Sequence, residues 1–209
     1  LTATFHFAPQ KINFVNPEYF NPQVVSPSLR QHNYVGTMID HYGLLGGLLD
    51  STFSMQRFDV NIGAQGPGGM VMTPTGNRGN YFGTQRRDAE RREWLETWSL
   101  APINKLGTHL FKTGTSLTYS GNQGQFTYRD IDILNALGRR TQRIDFTNLQ
   151  PFNRTDREFT YFVQDHWSPS GRLSFDYGAR VENQRLTQNL RVGPRIGMAL
   201  NPFNTANTV

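Results

Sequence analysis

Polar and apolar residues alternate with a period of two over several stretches of this 209-residue sequence, the pattern of half-buried β-strands. Between residues 172 and 182, Leu173, Phe175, Tyr177, Ala179 and Val181 alternate with Ser174, Asp176, Gly178, Arg180 and Glu182. Residues 190–200 repeat the pattern, with Leu190, Val192, Pro194, Ile196, Met198 and Leu200 set against Arg191, Gly193, Arg195, Gly197 and Ala199. Pro194 makes this run a poor interior strand, because proline brings no N–H to a ladder. Upstream, His109, Phe111, Thr113, Thr115, Leu117 and Tyr119 share one strand face, and Phe159, Tyr161 and Val163 another that runs on to Trp167. Turn signals stand at Gly121-Asn122-Gln123-Gly124, Ser168-Pro169-Ser170-Gly171 and Asn201-Pro202. Residues 159–167 are therefore expected to pair antiparallel with 172–182 through the short turn at 168–171, within an up-and-down series of strands.

Elsewhere the pattern is less regular. In residues 53–64 the apolar phase slips from Phe53 and Met55 to Phe58, Val60 and Ile62, which predicts a bulge or two separate strands. Residues 86–100 fit both a helix, with Trp94 and Trp98 at i,i+4, and a strand that puts the same two tryptophans on one face. The strand reading agrees better with its neighbours. Residues 8–36, with Pro9, Pro17, Pro22 and Pro27, read as irregular or extended, and the glycine-rich stretch 63–79 as a loop. The expected organisation is one partial barrel domain over residues 1–209, loop-rich in 1–50 and strand-rich in 51–209.

Composition narrows the class. Twenty Gly and 11 Pro alongside 15 Phe, 8 Tyr and 3 Trp favour an all-β chain. With no Cys there is no disulfide, thiolate chemistry or cysteine-bound zinc. No stretch approaches the roughly 20 apolar residues of a membrane-spanning helix; the best, residues 42–49, is broken by Gly43, Gly46 and Gly47. A transmembrane β-barrel stays open, because its alternating strands average to modest hydrophobicity. The sequence begins at Leu1 with no initiator Met or signal peptide and ends on a turn-like Pro202-Phe203-Asn204, so further strand sequence is expected beyond it.

Candidate chemistry is sparse, and no catalytic, metal or cofactor residue is expected. The five His, at 6, 32, 41, 109 and 166, show no metal-ligand spacing. Asp40-His41 and Asp165-His166 are sequence neighbours that a strand points to opposite faces. Asp130 and Asp132 share a strand face, imitating a paired-carboxylate site, and are expected to be a solvated or lumen-facing pair. Basic residues cluster at Arg86-Arg87, Arg91-Arg92 and Arg139-Arg140 with Arg143, and Asp88, Glu90 and Glu93 interrupt the first cluster. A net charge of +5 from 21 basic and 16 acidic residues is a weak field for nucleic acid, and no nucleic-acid partner is expected.

Three segments carry a resemblance. Phe159-Thr-Tyr-Phe-Val-Gln-Asp-His-Trp167 with its short turn, Leu173-Ser-Phe-Asp-Tyr-Gly-Ala-Arg-Val-Glu182, and Val192-Gly-Pro-Arg-Ile-Gly-Met-Ala-Leu-Asn-Pro202 together resemble the barrel region of TonB-dependent outer-membrane receptors. Gly107-Thr-His-Leu-Phe-Lys-Thr-Gly114 resembles the preceding strand. Gln56-Arg-Phe-Asp-Val60, Thr73-Pro-Thr-Gly76 and Asn80-Tyr-Phe82 are similar to the Oar-like subgroup with a carboxypeptidase-regulatory-like N-terminal domain. The resemblance implies a bacterial outer-membrane barrel of about 22 strands around a plug, taking up a nutrient with energy from the TonB complex and surrounded by outer-membrane lipid. This chain, at about ten residues per strand plus turns, supplies roughly eight to eleven of those strands and no plug domain, so the remainder of the barrel and the plug are its implied partners.

On that reading Asp176, Arg180, Glu182, Arg191 and Arg195 face a polar lumen, while Trp98, Tyr161, Trp167 and Phe203 are candidate interfacial aromatics near strand ends. The same alternation fits a soluble β-sandwich with a buried apolar face, which could bind carbohydrate through Trp94, Trp98 and Tyr81. A partial barrel also leaves two strand edges, so these residues alone are expected to close on themselves or to pair their edges with other chains.

Overall fold

A computed structural model describes residues 1–201. It is all-β, with thirteen strands: β1 (Thr2–Ile12), β2 (Ser28–Leu44), β3 (Gly47–Gly63), β4 (Met70–Met72), β5 (Arg78–Gly79), β6 (Gly83–Ser99), β7 (Ile103–Asn104), β8 (Thr108–Tyr128), β9 (Ile131–Leu134), β10 (Arg140–Ile144), β11 (Phe152–Ser170), β12 (Leu173–Gln184) and β13 (Asn189–Leu200). Eight long strands form one antiparallel sheet in the order β1-β2-β3-β6-β8-β11-β12-β13, with β7 attached to β8. Each long strand lies beside its predecessor, an up-and-down path that needs no crossover.

The connections differ sharply between the two ends of the sheet. At one end, here the turn end, strands are joined through residues 45–46, 100–107 and 171–172; at the other, the loop end, through 13–27, 64–82, 129–151 and 185–188. Leu45 and Gly46 both have positive φ (51° and 75°), as a two-residue type I′ hairpin requires, so the glycines that break up residues 42–49 serve a turn. The expected hairpin is present: Phe159 faces Asn183 and Trp167 faces Phe175 across β11 and β12.

Several expectations are corrected. Residues 1–50 are not loop-rich, for they hold β1, β2 and the start of β3; Pro17, Pro22 and Pro27 are confined to the 13–27 loop or its border, and Pro9 lies on β1, an edge strand where proline is tolerated. Pro194 likewise lies on the opposite edge, β13. Residues 53–64 contain no bulge, since β3 pairs with β2 and β6 without a register shift. The glycine-rich stretch 63–79 contributes β4 and β5. Residues 86–100 are strand rather than helix.

Gly121-Asn122-Gln123-Gly124 is not a turn but lies inside β8. A Cβ on Gly124 would come within 2.8 Å of both the Arg86 carbonyl oxygen and the Phe152 ring, so glycine answers a close approach of backbone and ring there. The edges do not close on each other: among the described residues β1 pairs only with β2, and β13 only with β12.

No second sheet covers either face of the large one, so the sandwich alternative finds no partner layer among the described residues. Packing is concentrated instead at the loop end. There β4 from the 64–82 connection pairs parallel with β9 from the 129–151 connection, within a four-stranded sheet ordered β10-β9-β4-β5. Val25, Met70 and Ile131, from three different connections and 2–6% exposed, form its core, packed by Met72, Phe82, Ile144 and Phe146. Polar staples bind the same segments. Asn77 Nδ2 donates to Asn21 Oδ1 at 2.7 Å, Asn80 Nδ2 to the Val24 carbonyl at 3.1 Å, and Arg129 Nη1 to the carbonyls of Gly66 and Gly68 at 2.9 Å each. These loops make a folded cap.

Ile131→Ala is expected to destabilise the cap by about 2–5 kcal/mol, read as faster proteolysis within residues 64–82 and 129–151 while the sheet stays resistant. Gly114→Val is expected to lower the urea midpoint of the sheet by the equivalent of about 1–3 kcal/mol, because a Cβ there would lie 2.5 Å from the Glu96 carbonyl and 2.7 Å from the Phe162 ring. Gly193→Ala, with nothing within 4 Å, should leave that midpoint unchanged.

Candidate functional site: a two-faced wall under a folded cap

Register partners across a sheet share a face, so the pairings sort every long-strand residue onto one of two surfaces. One surface carries Phe53, Trp94, Leu117 and Phe159 in a single cross-strand row. Nearer the turn end follow Leu49, Trp98, Thr113, Val163 and Ala179, and then His109, Trp167, Phe175 and Met198. From Phe159 to Trp167 is about 26 Å of strand at roughly 3.3 Å per residue, or about 20 Å of height at a tilt of about 40°, most of an apolar band about 25 Å tall. These side chains are not a protein core. Ile196 is 88% exposed, Met198 67% and Val192 64%. A surface row of apolar groups this long exceeds what water-facing protein surfaces ordinarily show.

The band contains three acidic residues, Asp40 on β2, Glu96 on β6 and Asp165 on β11; Asp40 is exposed, and the other two are bonded by side chains. Ser51 Oγ donates to Glu96 Oε1 at 2.7 Å and Trp94 Nε1–H to Glu96 Oε2 at 3.0 Å. Asp165, 2% exposed, receives the Tyr177 hydroxyl at 2.5 Å and pairs with His109 Nδ1 at 2.6 Å. Around it, His109 stacks on Phe111 and on Trp167, with centroids 5.7 Å away in each case, and Trp167 stacks on Phe175 at 5.5 Å. Burying a carboxylate among aromatic rings is tolerable only with such partners.

The opposite surface is largely polar. Asp176, Arg180, Glu182, Arg191 and Arg195 all lie on it: Glu182 is opposite Arg191, Arg180 opposite Gly193, Gly178 opposite Arg195 and Asp176 opposite Gly197. Arg180 pairs with Glu182, and Asp176 with His166 Nδ1 at 2.8 Å. Lys112, Gln164 and Thr160 extend the polar surface onto β8 and β11. Small residues here let large rings lie down: Phe162 covers Gly114 and Phe152 covers Gly124. A strand that keeps this surface hydrated and the other apolar is the pattern of a barrel wall.

The aromatic candidates divide. Trp98 and Trp167 lie toward the turn end of the apolar surface, each with its indole N–H donated to a turn carbonyl, Leu44 at 3.4 Å and Leu106 at 2.9 Å. Tyr161 is not near a strand end. It is the middle residue of β11, and its hydroxyl accepts from Thr113 Oγ1 at 3.1 Å within the band. Phe203 lies outside the described residues. Trp94 and Trp98 are on the sheet's apolar surface while Tyr81 belongs to the cap, so no shared sugar-stacking platform forms.

The remaining chemistry is structural. Asp130 and Asp132 do share a face, and both pair with Arg143, which also donates Nε–H to Asp145 at 2.7 Å; Arg140 adds a contact to Asp132 at 3.4 Å. The hydrogen bond to Asp145, then that to Asp130, raises the Arg143 pKa above the ordinary guanidinium value, and this cation holds β10 on β9. Arg86 and Arg92 point to the apolar side and Arg87 and Arg91 to the polar side, so the basic clusters are split between surfaces. Arg92 pairs with Glu90 and Arg91 with Glu93. Sequence reading missed the cross-strand pairs His32–Asp59, His41–Asp50, His109–Asp165 and His166–Asp176; three of the four are direct register partners, a signal that appears only once the register is known. Among the described residues no cluster has the composition of a metal site.

The all-β wall has one apolar and one polar surface, with connections of two to eight residues at one end and of four to 23 at the other, a pattern shared with the walls of outer-membrane barrels. No family model matches the sequence and no curated protein matches it. Among solved structures the chain is similar to the outer membrane transporter YddB from Escherichia coli, with a TM-score of 0.74 at 13% sequence identity. The match covers 97% of this chain and 27% of that one, so the likeness is one of fold, to a part of the transporter's chain.

Val163→Arg, in the middle of the apolar band, is expected to cost about 2–4 kcal/mol in a membrane-folded protein, and Phe175→Arg, near the turn end, about 0–1. Urea titrations of the two variants in lipid vesicles measure the difference.

Proposed function

We propose that this chain forms part of the wall of a bacterial outer-membrane transport barrel of the TonB-dependent, Oar-like type. The observation that carries the reading is the long apolar surface, exposed or half-exposed along most of its length and carrying two indoles bonded to backbone carbonyls toward the turn end, set back to back with a charged and hydroxyl-bearing surface. Lipid suits the first and a hydrated passage the second. The fold shared with an outer membrane transporter and the receptor-like segments at 159–202 support the same assignment.

On this reading the turn end faces the periplasm and the cap faces outward, since outer-membrane barrels carry short periplasmic turns and longer external loops. The polar surface, with Asp176, Arg180, Glu182, Arg191 and Arg195, lines the lumen against the plug and the rest of the barrel. The cap gives the outer opening a fixed shape for the cargo. Work is done by binding and by energy drawn from the TonB complex, without bond chemistry in this segment.

The sequence has no cysteine, so introduced ones report cleanly. In outer membranes of cells producing the protein, a charged, membrane-impermeant maleimide is expected to label Gln164→Cys and to leave its neighbour Val163→Cys unlabelled until detergent is added. Equal labelling of both positions, or a protein recovered in the soluble fraction, would overturn the proposal.

A further inference from the structure

Toward the cap, the row that follows the apolar band is basic. Met55, Arg92, Tyr119 and Arg157 are successive register partners across β3, β6, β8 and β11. Arg185 extends the row, its backbone N–H donating to the Arg157 carbonyl at 3.0 Å. One step toward the turn end lies the row Phe53, Trp94, Leu117 and Phe159, each 41–49% exposed. Between the two rows is a groove of about 520 Å³ with an apolar floor and the three arginines on its loop-end side.

The charges there are incompletely matched. Arg92 shares its guanidinium with Glu90 at 2.9 Å, but among the described residues the Arg157 and Arg185 guanidinium groups have no acceptor. Glu93 and Glu158 also line the groove, but they and Asp156 hold register positions of the opposite surface; Glu93 is taken by Arg91, and Asp156 accepts from Gln184 Nε2 and the Leu186 N–H. Two neighbouring unpaired guanidinium groups offer paired N–H donors in the geometry that phosphate oxygens accept in forked fashion. The floor beneath spans four strands, wider than one acyl chain.

We infer that this groove binds a phosphorylated, multiply acylated lipid of the outer leaflet, with phosphate on Arg157 and Arg185, a second anionic group near Arg92, and acyl chains over Phe53, Trp94, Leu117 and Phe159. The inference rests on the membrane-wall reading above. It adds a lipid site outside the transport path, one that fixes the depth of the wall in the bilayer.

Native mass spectrometry of the full-length protein in detergent, titrated with diphosphorylated lipid A, tests it. Retention is expected to fall about five- to tenfold for each arginine removed in Arg157→Gln and Arg185→Gln, and less in Arg157→Lys and Arg185→Lys, which keep the charge. Arg191→Gln, on the opposite surface, should change nothing. Dephosphorylated lipid A should bind as weakly as the double glutamine variant, and millimolar inorganic phosphate should not displace the lipid, which separates a lipid site from a simple anion site. Circular dichroism establishes that each variant is folded. Unchanged retention in the folded double variant, equal retention of the dephosphorylated lipid, or displacement by phosphate overturns the inference. The cysteine labelling keeps the two readings distinct: labelling as proposed together with arginine-independent retention sinks the lipid site alone, whereas reversed labelling sinks both.

Discussion

The backbone ladder is the constraint on which everything else in this chain depends. The six inner long strands satisfy their N–H and C=O groups on both sides, and β1 and β13 on one, leaving side chains free to address two different surroundings without a core beneath the sheet. In a soluble protein a sheet of this kind would have to bury one surface against another layer. Here no such layer exists among the described residues, and burial is found in the cap and at isolated points of the sheet such as Val60, Thr97, Thr160 and Asp165. On the wall reading proposed above, the solvent on the apolar side is hydrocarbon.

That division explains which residues tolerate charge. Glu96 and Asp165 stand on the apolar surface, yet each is clasped by side chains of the sheet, Glu96 through both oxygens and Asp165 through Oδ2. On the polar surface, by contrast, Lys112, Arg191 and Arg195 need no such clasp, because water can reach them. The two sides obey different rules for the same residue types, and the sheet's pleat is what assigns each residue to its rule.

Much of the wall was legible in the sequence. Strict alternation in 172–182 and 190–200 identified two strands, and the Ser-Pro-Ser-Gly turn fixed their hairpin. The face of the five charged residues followed from the period alone. What escaped was governed by something other than period. The glycines at 121 and 124 looked like a turn because their role, admitting the Phe152 ring and the Arg86 carbonyl, depends on a partner strand that the local sequence does not mention. The phase slip after Met55 looked like a bulge because the strand passes out of the apolar band there, after which Arg57 and Asp59 occupy the side that Phe53 occupied below. Prolines in the first fifty residues suggested disorder of pattern, whereas edge position and loop position accommodate them. The cap was invisible for the plainest reason: its core joins Val25, Met70 and Ile131 from three separate connections, and no window along the chain contains all three.

The parallel pairing of β4 with β9 joins connections that belong to different hairpins. Ordinarily each external loop of a barrel is free to drift in sequence and length on its own account. In this chain a change at Met70 is felt at Ile131, and an insertion that displaces β4 removes the neighbour of β9. The three connections thus stand or fall as one unit: replacing one loop alone strips core contacts from the other two, so the shape of this end changes only when the whole cap is exchanged.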